Sequence, residues 1–167
     1  MDGADLTKLW RGENEILSLF LQPISISTMR RLFSTSTSDS AFSFATLTLR
    51  LGLGFLMLLN HGYNKLIHFS SYAGKFADPY HIGRTPSLAL TIFAEVFCSV
   101  FIILGLFTRL AAIPLIIAMT TAFVFAHNAN YRGGPGGGEM ALLFLMGYIV
   151  LLFTGPGKVS LDRFIGK

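Results

Sequence analysis

Four apolar stretches, each carrying ionisable residues, constrain this chain more than any other feature. Residues 45–69 hold Arg50, His61 and Lys65, and residues 88–107 hold Glu95. Residues 110–126 are closed by His127, and residues 139–153 open with Glu139. A membrane span needs about 20 mainly apolar residues. The first two stretches reach that length, the third is slightly short, and the fourth borrows from its flanks. A charge in hydrocarbon is costly, so a membrane helix that keeps one has a use or a partner for it.

Composition agrees with the membrane. The chain of 167 residues is 52% hydrophobic and 13% charged, against about 25% charged in an ordinary soluble domain. Its mean hydropathy is +0.59. A soluble bundle would lack the polar surface to cover four such runs. The expected fold is therefore an all-α membrane protein: a four-transmembrane-helix antiparallel bundle with an N-terminal amphipathic helix. The spans are expected at residues 45–69, 87–107, 109–128 and 138–154.

Residues 1–44 read as a cytoplasmic lead-in. Leu6, Leu9, Trp10, Ile16, Leu17 and Phe20 recur at near-helical spacing among charged residues. They predict an amphipathic helix over residues 5–21, lying on the membrane or packed on protein. The Ser/Thr-rich segment 34–43 reads as a mobile linker. Residues 45–167 form the four-helix transmembrane domain. The opening MDGADLTKLW lacks the basic region of a secretory signal peptide, so the first stretch is expected to act as its own insertion signal.

Basic residues set the orientation. Four spans place Lys8, Arg11, Arg30, Arg31, Arg109, Lys158, Arg163 and Lys167 on one side. They place Lys65, Lys75, Arg84 and Arg132 on the other. The positive-inside rule then puts both termini in the cytoplasm. The net charge of +4 reflects this loop bias. No basic run with interleaved aromatics is present, so nucleic acid is not an expected partner. The lone Cys98 lies within a span and reads as a small packing residue.

The loops differ in kind. Residues 70–86 carry aromatics suited to the headgroup region. The turn GLFTR, residues 105–109, is so short that the second and third spans must form a tight hairpin. The connection NANYRGGPGGG is glycine-rich, but no GK[ST] follows it, and it is no phosphate-binding loop.

On the first span Arg50, Gly54, His61 and Lys65 share one broad face, with Met57 between them. A polar stripe turns away from lipid. At about 1.5 Å per residue, His61 lies about 12 Å deep and Glu95 about 10 Å deep. His61, Lys65, Glu95, His127 and Glu139 thus gather in the outer half of the bundle, with Asn128 nearby. Arg50 lies toward the cytoplasmic third, placed to snorkel or to bind carbonyls of the turn at Arg109. Glu95 and His61 are the candidate catalytic residues. Arg50, Lys65, His127, Asn128 and Glu139 are the candidate substrate-binding residues. The cluster reads equally as structural glue, with Glu95 paired to His61 or Lys65. Two His and two Glu raise a metal site, but neither an ExxH pair nor HExxH occurs, so no metal is expected. One cysteine rules out iron–sulfur and c-type haem ligation.

Several segments together resemble the DoxX family of small four-helix membrane proteins. They are LRLGLGFLMLLNHGYNKL (49–66), the glutamate of the second span followed by LGLFTRLAA (104–112), GGEMALL (137–143) and GPGKVSLDRF (155–164). The resemblance implies a multi-pass bundle in a bacterial inner membrane. The family takes its name from a subunit associated with quinone-linked thiosulfate oxidation. The expected function is therefore an integral membrane subunit of a quinone-linked redox system. Its polar groove would bind a quinone or small substrate, and a redox partner subunit would supply electrons. The alternative is a non-enzymatic membrane module that binds a lipid or small molecule, or assembles a partner. The lipid bilayer is a partner in either case, and a homo-oligomer is a further expectation.

Overall fold

The computed structural model describes residues 36–165 apart from 133, 135 and 136. The helix expected over residues 5–21 lies outside the described residues. Among those described, all regular structure is helical. Four long helices dominate: α1 (Asp39–Ile67), α3 (Arg84–Leu104), α4 (Thr108–Ala126) and α5 (Glu139–Thr154). Two short ones accompany them, α2 (Phe69–Ala73) and α6 (Asp162–Ile165). The helices α1, α3 and α4 are long and apolar enough to cross a membrane. The helix α5 is apolar but has 16 residues.

The helix ends follow local chemistry. Ser38 Oγ accepts a hydrogen bond from Ala41 N at 3.2 Å, and Asp39 occupies the first turn of α1. A serine cap followed by an acid starts a helix. The segment read as a linker therefore ends at Ser38, and α1 begins ahead of residue 45. At the other end of α3, Gly105 adopts a left-handed conformation, φ 67°. Its N–H donates to Ile102 O at 3.1 Å, and that of Leu106 donates to Phe101 O at 2.9 Å. This pair of bonds is the Schellman arrangement that closes a helix at glycine. Three residues later α4 begins, capped from afar. The Asp162 carboxylate accepts from Phe107 N at 2.6 Å and Thr108 N at 3.0 Å.

Packing runs α1 on α3 and α5, α3 on α4, and α4 most extensively on α5. The main core contains Met57, Cys98, Ile102, Ala112, Leu115, Met119, Phe144, Tyr148 and Leu151. A second cluster lies toward α2, where Leu88, Ile92 and Val96 meet Leu58, Phe69, Ala73 and Phe76. Small residues bring the backbones together, as is usual where no water drives helix association. At Gly54 a Cβ would lie 3.2 Å from Ser99 O.

Candidate functional site

The site grows from two irregular turns. Within α1, residues Leu58–Gly62 form a π-helical segment that contains His61. Within α3, residues Phe93–Cys98 form another that contains Glu95. Such turns insert an extra residue and are frequent at functional sites. The two segments touch at Gly62, where a Cβ would lie only 2.7 Å from Glu95 O and 2.8 Å from Val96 Cγ2. Backbone thus meets backbone, and Lys65, one turn beyond Gly62, reaches over Glu95. Gly62→Ala is expected to cost about 1–3 kcal/mol by overpacking. Thermal unfolding of the detergent-solubilised variant checks this, and an unchanged midpoint would mean that the close approach is dispensable.

Lys65 Nζ lies 2.7 Å from Glu95 Oε1 and 2.6 Å from Oε2. The side chains are 22% and 5% exposed respectively. Desolvating two charges is costly, and only such close geometry offsets it. His61 is half-buried beside them, within electrostatic reach of both. Its ring meets Phe144 of α5 edge-on, with centroids 5.7 Å apart. Phe144 stacks on Tyr148, whose hydroxyl donates a long hydrogen bond to Leu53 O at 3.4 Å. Tyr148 was absent from the sequence-derived candidates. Its one signal is a single hydroxyl in the otherwise apolar run MALLFLMGYIVLLF.

The remaining candidates lie elsewhere. Arg50 is about 22 Å from Lys65 along the helix axis at 1.5 Å per residue. It is 1% exposed and does not join the pair. Its Nε donates to Ile102 O at 2.9 Å and its Nη2 to Ile103 O at 2.9 Å. Its Nη1 donates to Pro156 O and Val159 O, both at 2.7 Å. His127, Asn128 and Glu139 stand at the connection between α4 and α5. His127 is half-buried, Asn128 is exposed with φ 49°, and Glu139 is exposed. Among the described residues, no three His, Cys, Asp or Glu converge as metal ligands.

Above the site, the connection between α2 and α3 is pinned by Asp78. Its carboxylate accepts from Ile82 N at 3.0 Å, Gly83 N at 2.8 Å and Ser87 Oγ at 2.9 Å. Desolvation opposes its ionisation, but the hydrogen bonds outweigh that effect and lower its pKa. The same connection reaches α4, where the Tyr80 and Thr121 hydroxyls are 2.8 Å apart.

The DoxX family profile matches residues 45–128, which include all of α3 and α4, most of α1, and the Lys65–Glu95 pair. The chain belongs to the DoxX family. Among its DoxX relatives is an uncharacterized membrane protein of Mycobacterium tuberculosis. It is 36% identical, over 61% of this chain and 76% of the relative. An uncharacterized protein of Haemophilus influenzae is 35% identical, over 64% of this chain and 81% of its own length. No solved structure matches this DoxX chain significantly.

Proposed function

We propose that this DoxX protein is an integral membrane subunit of a quinone-linked redox system, with the Lys65–Glu95 pair and His61 as its binding site. All four long helices would cross a bacterial inner membrane as an antiparallel bundle with cytoplasmic termini, following the basic-residue bias. The observation that carries the reading is the nearly buried ion pair, set at two abutting π-helical turns. A charge pair inside an apolar bundle needs a reason, and π-helical turns mark functional sites more often than chance.

The residues suit a quinone. The Lys65 ammonium has three donors, two of which face Glu95. The third suits a carbonyl oxygen. The His61 imidazole can donate or accept a proton at the same head group. Reduction of a quinone to its quinol takes two electrons and two protons. His61 and the Lys65–Glu95 pair would handle the protons, and a partner subunit would deliver the electrons. A non-enzymatic module that binds a lipid is the second reading. It is favoured by one observation, that Lys65 and Glu95 already neutralise each other.

The test is binding of a short-chain benzoquinone to the full chain in lipid nanodiscs. Glu95→Gln keeps size and polarity but removes the charge. It is expected to weaken binding at least about ten-fold, or 1.4 kcal/mol, with the protein still folded. Loss of thermal stability with quinone binding intact would mark the pair as structural and end this reading.

A further inference from the structure

The seam between α1 and α5 changes character along its length. Below Met57 it is shut. Leu53 fills the space beside Gly147, where a Cβ would lie 3.2 Å from Leu53 Cδ2. The Tyr148 hydroxyl ties across to Leu53 O. Above Met57, α1 turns its packing toward α3 and α2 instead. Gly62 sits on the Glu95 backbone, and Leu58 joins the cluster of Leu88, Ile92 and Val96. What spans the seam at this level is the edge-on contact of His61 with Phe144.

The approach from the outer loops is roofed. Phe69, Ala73 and Phe76 pack over Leu88, Ile92 and Val96 on the way to Glu95. Met140 and Leu143 of α5, on the turn before Phe144, are by contrast exposed. His61 lies six residues before the end of α1, about 9 Å below it at 1.5 Å per residue. The mouth of the seam therefore opens at hydrocarbon depth.

We infer that the Lys65–Glu95 site is reached sideways from the bilayer, through the outer half of the α1–α5 seam, by an amphiphile whose head accepts hydrogen bonds. The inference rests on the reading of this pair as a binding site. The apolar flanks select a lipid-soluble molecule. The Lys65 ammonium and the His61 ring select a carbonyl or carboxylate head. The Leu53–Gly147 contact sets the floor, so the head stops beside His61 and the tail stays in lipid.

The test places a nitroxide at His61→Cys in the full chain in nanodiscs. Wild type serves as the background, since Cys98 is buried. Collisions with dissolved oxygen, which partitions into lipid, are compared with those of a water-soluble nickel chelate. The oxygen-to-nickel ratio at position 61 is expected to exceed that at a loop control, Lys75→Cys, by about ten-fold, because hydrocarbon excludes charged solutes. A ratio equal to the loop control would overturn the sideways route and leave the site itself standing. Asn64→Cys, exposed on the next turn of α1, gives the same readout if His61→Cys does not fold. Short-chain benzoquinone and oleate are then added separately to the chain labelled at Leu143→Cys instead, which leaves His61, Lys65 and Glu95 in place. Loss of oxygen collisions with benzoquinone supports the carbonyl head, and loss with oleate alone supports the carboxylate. No response to either, with the high ratio retained, would overturn the assignment of the ligand class.

Discussion

Arg50→Met is expected to lower stability by about 3–5 kcal/mol, because removing a buried group that serves several carbonyls leaves them short of a donor. Arg50 is the most heavily committed side chain in the described structure. Two of its bonds go to Ile102 O, which also accepts from Gly105 N, and to Ile103 O in the last turn of α3, where carbonyls lose their usual i+4 N–H donors. Two more hold Pro156 O and Val159 O of the segment that follows α5. That segment also carries Asp162, the cap of α4. One guanidinium thus ties α1 to the end of α3 and, through the tail, to the start of α4. Arg50→Lys keeps the charge but not the planar fork that reaches four oxygens. It is expected to lose about half as much. Denaturant unfolding in detergent measures both, and limited proteolysis after α5 should rise in parallel. Equal stability of Arg50→Met and wild type would show that the tail holds without the clasp.

Apolar length found the helices, because four runs of that composition have few other ways to bury themselves. It placed their ends less well. The segment 34–43 looks like a linker by composition, yet Ser38 followed by Asp39 is a helix start, and the cap outweighs the serines around it. The GLG at residues 52–54 offers two small residues to a neighbouring helix. The structure puts Gly54 against Ser99 while Gly52 meets nothing, a choice of face that needs the neighbouring helix. Depth arithmetic brought His61 and Glu95 to one level. It assumed regular α-helices, however, and each π-helical segment adds a residue and turns everything beyond it by about 100°. Which of His61 and Lys65 meets the carboxylate was therefore not readable from spacing. The placing of His127 and Glu139 depends on a glycine-rich connection with no period to read. Tyr148 was hidden because a single hydroxyl in an apolar helix looks like core.

The two members of the ion pair should not be equivalent. Lys65→Met is expected to cost about 3–5 kcal/mol, since it strands a carboxylate that is 5% exposed. Glu95→Gln should cost less, about 1–2 kcal/mol, because the Lys65 stem can carry its ammonium toward the interface once released. Lys65→Met combined with Glu95→Leu removes both charges together. That double variant is expected to recover most of the loss, as apolar replacements of buried ion pairs commonly do. The cycle of single and double variants in thermal unfolding measures the coupling directly. It also separates chemistry from scaffold. A stable double variant that still binds benzoquinone as wild type does would make the pair mere architecture. A stable double variant that no longer binds it would assign the charges to the ligand. Strictly additive losses would contradict the contact itself, since two groups 2.6–2.7 Å apart cannot lose their interaction twice.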